Sequence, residues 1–389
     1  MSPSKGPLEG TRVVELAGLG PVPFAAMQLA DLGADVVRVD RPRGTGDLVR
    51  DPQKEILFRG RRSIAVDLAR PDGAATVRRL CMSADVLLEG NRPGVAERLG
   101  VGPDACLLSN PGLVYARATG WGQEGPLAAR AGHDLTYTAL SGALSTFGEA
   151  GRKPVPALNL VSDFGGGGTF LVIGVLAALI ERTRSGRGQV VDAAMIDGTS
   201  YLLASVFTMV NAGEWRHRRG HNLIDGGAPF YDTYECRDGG YVAVAALEPK
   251  FWRVLVERLG LDIDPSSQWD ESTWPALEDL LATTFAGRER DEWTALLEGV
   301  DACTAPVLTL AEAPHHPHLA QRGTHLARGE GVEPAVAPRF SRTPGAVGAA
   351  PQAPGASTRE VLAERGFDQA EITRLIADKV VVQAAEEGA

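Results

Sequence analysis

Three residues near the middle of the chain have the types and spacing for proton chemistry. His133 and Asp134 follow a glycine in AGHDLTYTALSGAL, and Asp163 sits in NLVSDFGGGG, thirty residues after His133. A His and a carboxylate facing one site form a general acid–base pair. Each motif stands at the start of a predicted helix. Tyr137, Leu140, Leu144 and Phe147 recur at spacings of three and four, and Phe170 to Ile180 form an apolar run of helical length. Helix N-termini offer free N–H groups and the positive end of a dipole, so both motifs suit an anion or a developing oxyanion. That end favours ionised Asp163 and neutral His133, burial raises a carboxyl pKa, and a neighbouring carboxylate favours protonated His; the balance stays open at this level. Gly165 to Gly168 cost about 1 kcal/mol each in a helix relative to Ala. Such a run implies close approach of another backbone or a ligand, and its first N–H groups are candidate oxyanion donors. The plainer alternative is a surface turn with Asp163 as an N-cap.

Other chemistries have weaker footing. The chain has no GxSxG, Walker or HExxH motif. His315, His316 and His318 lie together in EAPHHPHLAQ, but Pro314 and Pro317 hold them out of a helix and no acidic or thiol ligand is spaced to join them, so no metal is expected. Cys303 in DACTAPVL has no activating neighbour and reads as an inert buried thiol.

The elements that must hold these residues read as an α/β layer. Arg12–Leu16 predicts a strand, Phe24–Leu32 a helix and Asp35–Val39 a second strand, a β-α-β opening with parallel strands. Gly18, Gly20 and Asp40 imitate a dinucleotide fingerprint, yet Pro23 replaces its third glycine and Pro21 and Pro23 remove N–H groups; no NAD site is expected. Arg38, Arg41, Arg43, Arg50, Lys54, Arg59, Arg61 and Arg62 exceed Asp40, Asp47, Asp51 and Glu55 by four charges, and Arg92 and Arg98 follow in EGNRPGVAERLG. Guanidinium forks suit phosphate oxygens; the alternative is a solvated, salt-bridged face. Farther on, alternation on both sides of Arg237–Gly240 predicts a hairpin whose second strand ends at Glu248, before Pro249. Residues 230–315 read as a smaller α+β domain, 343–356 as a Pro/Gly/Ala linker, and Ser357 with Glu360 as a capping box opening a final helix.

A chain of 389 residues exceeds a usual single core. The net charge of −10 argues against general binding to nucleic acid or anionic membranes. Four scattered cysteines fit a reducing compartment. MSPSKGPLEGTRVV lacks a signal-peptide core, and Phe170–Ile180 is short for a bilayer span. A cytoplasmic protein is expected.

A set of ordered segments resembles the family III CoA transferase superfamily and, within it, the α-methylacyl-CoA racemase group. They include RVVELAGLGPVPFAAMQLADLGADVVRVDRP, EGNRPGVAERLG, YARATGWGQEGP, AGHDLTYTALSG, PALNLVSDFGGG, GQVVDAAMIDGTS, GGAPFYDTYEC, ALEPKF and APRFSRTP. The resemblance implies a Rossmann-like large CoA-binding domain (1–195), a linker (196–229), a small α+β domain (230–315), and a linker with C-terminal return (316–389). It further implies an interlocked homodimer whose active site is shared between subunits. By this resemblance His133 and Asp163 are the two bases, and Glu248 of the partner's small domain pairs with the histidine. Arg41, Arg92, Arg98 and Tyr137 match positions around CoA, the substrate is an acyl-CoA, and no cofactor beyond its CoA moiety is implied. The rival within the superfamily is a CoA transferase with Asp134 as nucleophile; a non-catalytic acyl-CoA-binding protein is a third class. Only Met195 and Met209 stand where the family's acyl surface can be Met-rich, which leaves acyl preference open.

Overall fold

The computed structural model describes residues 6–42 and 51–385; Arg43, Asp47 and Arg50 of the basic segment lie outside them. The chain forms two compact units, Met1–Ser141 with Ala157–Leu202 and Gly323–Ala389 in one, and Gly142–Pro156 with Leu203–Arg322 in the other.

The first unit opens with β1 (Arg12–Leu16), α1 (Pro21–Asp31), β2 (Asp35–Asp40), β3 (Arg61–Val66), α2 (Pro71–Met82), β4 (Val86–Glu89), α3 (Val95–Arg98), α4 (Pro103–Ser109) and β5 (Val114–Thr119). After α5 (Asp134–Leu140) come a π-helical segment (Leu160–Thr169), α6 (Phe170–Ser185), β6 (Val190–Ala194) and α7 (Met195–Leu202). The six strands lie in the order 3-2-1-4-5-6 with every pair parallel, the doubly wound order. Side chains alternate across the sheet. Val14, Val37, Ile64 and Leu87 face α2, α4 and the C-terminal helices, while Val13, Val36, Leu88 and Val114 face α1 and α6. Burial on both faces explains the nearly unbroken apolar runs of these strands. The first helix starts three residues before the expected Phe24, because Pro21 occupies its first turn, where no N–H is needed.

The rows facing α1 also carry charge. Glu15 lies beside Arg38 in the ladder and Arg38 beside Ser63. Arg61 donates to both oxygens of Glu15 at 2.9 and 2.7 Å, Arg38 to Asp40 at 2.8 Å, and Arg59 to Asp31 at 3.2 Å. All six side chains are buried. The Arg38 guanidinium lies 4.1 Å above the Phe58 ring, a cation–π contact. Arg38, Arg59 and Arg61 thus form neither a phosphate surface nor a solvated face. Asp40, which imitated a ribose-binding acid, is also bonded to Ser63 at 2.5 Å.

In the second unit, α8 (Ala204–Asn211) precedes a three-stranded antiparallel sheet of β7 (Tyr231–Glu235), β8 (Tyr241–Ala245) and, after α9 (Pro249–Leu259), α10 (Trp274–Phe285) and α11 (Arg290–Leu297), β9 (Thr304–Pro306); α12 (Pro317–Arg322) closes the unit. The hairpin turns where expected, with Gly239 at φ 79°. Its second strand stops at Ala245, and Glu248 is the residue before α9. Phe230, Trp252, Trp274, Phe285 and Trp293 build the core. The 143–156 segment joins this unit through Arg219, which donates to the carbonyls of Ser145 at 3.1 Å and Glu149 at 3.2 Å. The helix expected from Tyr137 to Phe147 therefore ends at Leu140, and Gly142 at φ 91° turns the chain. Cys303 is exposed rather than buried.

The chain then returns to the first unit through β10 (His325–Arg328), β11 (Gly331–Pro334), α13 (Thr358–Glu364), α14 (Gln369–Ala377) and β12 (Val381–Val382), which pairs antiparallel with β3. Ser357 precedes α13, but its hydroxyl bonds Gln352 at 3.0 Å and caps no helix N–H. The capping box is not formed.

Candidate active site

A cavity of about 590 Å³ opens at the carboxyl ends of the parallel strands. Its walls are the chain leaving β1 (Ala17 to Pro21), Arg41 after β2, the EGNRPG turn after β4 and Ala118 to Trp121 at the end of β5. It spans the point between β1 and β4 where strand order reverses, the usual ligand crevice of such sheets.

His133 is the residue before α5, with extended backbone (φ −140°, ψ 170°). Its N–H donates to Thr136 Oγ1 at 3.0 Å, and that hydroxyl donates back to the His133 carbonyl at 2.7 Å. The imidazole is left exposed on the cavity wall. One turn on, the Tyr137 ring meets Trp121 edge-on at 4.7 Å. A side chain at Gly120 or Gly132 would lie 2.1 or 2.5 Å from that ring, which explains both glycines.

Asp163 enters from the π-helical segment. Its carboxylate lies over Gly20, where a Cβ would meet Asp163 Oδ2 at 3.1 Å; Gly20 also needs φ 68°. Burial, with the Asp134 charge second, raises the Asp163 carboxyl to about 6 against a lowering by His133. Burial and the Asp163 charge likewise raise the Tyr137 phenol, and Arg92 opposes them. His133, Asp163 and Tyr137 thus line one cavity.

Asp134 is not on that wall. It is buried, and its carboxylate accepts the N–H groups of Ser162 and Asp163, each at 2.7 Å. Those amides are therefore not free donors. The glycine run allows close helix contact: a Cβ on Gly166 would lie 2.6 Å from Thr199 N, on Gly167 2.7 Å from Met195 and on Gly168 2.6 Å from Phe24. The π-helical segment continues into α6, giving 26 helical residues, Leu160–Ser185, long and apolar enough by length and composition to cross a membrane. The apolar run Phe170–Ile180 covers only part of this length, because four glycines and Thr169 precede it. Here the glycine end is packed against α1 and α7.

Arg41 and Arg92 line the cavity and Arg98 does not; its guanidinium lies beside Gly94. Arg130 also lines it. Its one sequence signal is an arginine three residues before His133. Arg92 is presented by a turn that buried Glu89 organises, accepting the Asn91 N–H at 2.7 Å and Arg117 Nε at 2.7 Å. Glu248 belongs to the second unit, exposed before α9. There, partial burial first and the Glu248 charge second raise the Cys303 thiol.

Comparison with known proteins places these observations in a lineage. Residues 8–358 match the family described as CoA-transferase family III. The chain is 48% identical over 378 residues to alpha-methylacyl-CoA racemase of Mus musculus, covering 96% of this chain and 97% of that protein. It is 46% identical to the Homo sapiens alpha-methylacyl-CoA racemase at the same coverage. A crystal structure of a CAIB/BAIF family protein from Brucella suis superposes with a TM-score of 0.80 at 28% identity, covering 93% of this chain and 100% of that one.

Proposed function

Within CoA-transferase family III, to which the chain belongs, we propose that it racemises 2-methylacyl-CoA thioesters at the α-carbon. One observation carries the reading: the Asp163 carboxyl, held up at about 6, and the His133 imidazole line the same cavity. An α-proton next to a thioester is weakly acidic, so its removal needs a placed base. One of His133 and Asp163 takes the proton, the C–H electron pair moves into an enolate, and the other group returns a proton to the opposite face. Asp163 near 6 suits both halves, since neither its acid nor its base form is scarce near neutrality.

Arg41 and Arg92 are assigned to the CoA phosphates, whose remote binding positions the reacting carbon. Arg98, outside the cavity wall, has weaker support, and Tyr137 has support from its place in that wall. No cofactor beyond the CoA moiety is required. Glu248 is assigned to the histidine of a second subunit in a homodimer with shared sites. Exposed apolar side chains on α6, α7 and α8 support an interface; α8, ASVFTMVN, has no buried residue. The transferase alternative needs a carboxylate free to attack the thioester, and the contacts of Asp134 argue against it in that role.

The experiment is solvent exchange. Incubated in deuterated water with (2R)- or (2S)-methylacyl-CoA, the protein is expected to interconvert the two and place deuterium on the α-carbon. CoA transfer onto a free acid without α-exchange would sink the racemase reading in favour of the transferase.

A further inference from the structure

Asp134 points into the protein, and its surroundings give it a task separate from attack on substrate. Its Oδ2 accepts the N–H groups of Ser162 and Asp163 at 2.7 Å each, and its Oδ1 accepts the Thr138 hydroxyl at 3.0 Å. The Thr138 and Ser162 hydroxyls lie 2.7 Å apart, Ser162 and Thr199 2.8 Å apart, and Thr199 donates to the Met195 carbonyl at 2.7 Å. Asp134 is 7% exposed, Thr138 2%, and Ser162 and Thr199 0%. A buried carboxylate is costly unless hydrogen bonds replace its water, and charge-assisted bonds from two adjacent amides are strong and directional. Two amides and one hydroxyl hold the Asp134 carboxyl group. The row reaches from α5 through the π-helical segment to α7.

We propose that Asp134 is a positioning residue that sets the separation of His133 and Asp163. Its backbone adjoins the first and its carboxylate grips the amide of the second. One residue thereby ties two groups that are thirty positions apart in sequence and that belong to different helical segments. The proposal rests on His133 and Asp163 being the acid–base pair. Small misplacement matters in this chemistry: about 1 Å can cost on the order of 10²-fold in rate.

Asp134→Asn keeps the size and one acceptor oxygen while removing the charge. Its kcat for exchange of both enantiomers is expected to fall about 10²-fold with KM little changed. The charged groups acting on Asp163 are Asp134 and His133, with the Tyr137 phenol facing it; Gly20 and Met195 complete its uncharged surroundings in the cavity. Loss of the Asp134 charge is therefore expected to move the acidic limb of the Asp163-dependent exchange to lower pH, which a simple loss of folded protein would not do. Should Asp134→Asn fail to fold, Thr138→Val removes the hydroxyl's contacts with Asp134 and Ser162 and spares both amide bonds; a smaller kcat loss at unchanged KM is expected. A folded Asp134→Asn with wild-type kcat and pH limb overturns the positioning role, as does wild-type exchange by Thr138→Val when Asp134→Asn is unfolded. Wild-type protein that exchanges no α-proton overturns instead the racemase reading beneath it.

Discussion

Asp163 carries opposed demands. Burial and Asp134 hold its carboxyl up at about 6, which suits proton exchange near neutrality but disfavours the charged form in the folded protein. A raised carboxyl pKa means the folded state binds protons more tightly, so this contribution to stability is present below the ordinary 3.8 and is lost as pH rises through about 6. Asp163→Asn is thus expected to melt higher than wild type above pH 6, with the margin vanishing below 3.8, while losing racemisation. Exchange of the enantiomer that Asp163 deprotonates should rise with pH through about 6. That limb should persist in His133→Ala, and Asp163→Ala should keep exchange of the opposite enantiomer. The same stereochemical bias in both variants would falsify the opposed-base arrangement. His133, which follows a glycine, and Asp163, two residues before a glycine run, stood out in the sequence as polar residues at predicted helix starts. The contacts of Asp134 were not legible, since its partners Ser162 and Asp163 come from a segment 28 and 29 residues away and no local pattern announces them.

Among the elements, the π-helical segment is held by backbone contact that side chains would prevent. A Cβ at Gly198 of α7 would lie 1.9 Å from the Gly166 carbonyl oxygen, and neither backbone can swing aside as a long side chain can. Gly198→Ala is expected to destabilise by about 1–3 kcal/mol, the usual cost of overpacking, seen as a lower melting temperature. Exchange should fall as well, because the same segment carries Asp163. An unchanged melting temperature and rate would show that the two backbones separate freely. The glycine run itself was readable as a place of close approach; that its neighbours are α1 and α7 depends on tertiary contacts. The strands from Arg12 to Asp40 were legible from their valine runs. The basic segment was not, because an arginine reads as surface wherever it stands, whereas Arg38 and Arg61 lie on inward-facing strand positions beside Asp40 and Glu15. Ser357 failed as a cap for a similar reason, its hydroxyl being drawn to Gln352.

At the scale of the whole molecule, each unit displays apolar surface without a partner among the described residues. Ile173 and Ile180 of α6 are 53% and 60% exposed, and Phe207 of α8 is 48% exposed; these are side chains that the dimer interface proposed above would cover. The protein is expected to sediment as a dimer, and Ile173→Lys with Phe207→Lys to shift it toward monomer with loss of exchange, since Glu248 would no longer reach a partner's histidine. A monomer that racemises at the wild-type rate would exclude the shared site. The hairpin after residue 230 was legible in the sequence, but the incorporation of residues 142–156 into the second unit was not, because it depends on Arg219 binding carbonyls about seventy positions earlier. The pairing of β12 with β3 has a consequence for biosynthesis. Thr358 also bridges Ala65 and Val382, and the Gln352 carbonyl accepts from Arg38, so late residues complete the large sheet. On a ribosome adding about 5–20 residues/s, α7 emerges roughly ten to forty seconds before β12. Through that interval β3 has an open edge, a template for pairing with other nascent chains, while the residues of the second unit have already been made. The small unit is free to mature first, and the larger one depends on residues made after it.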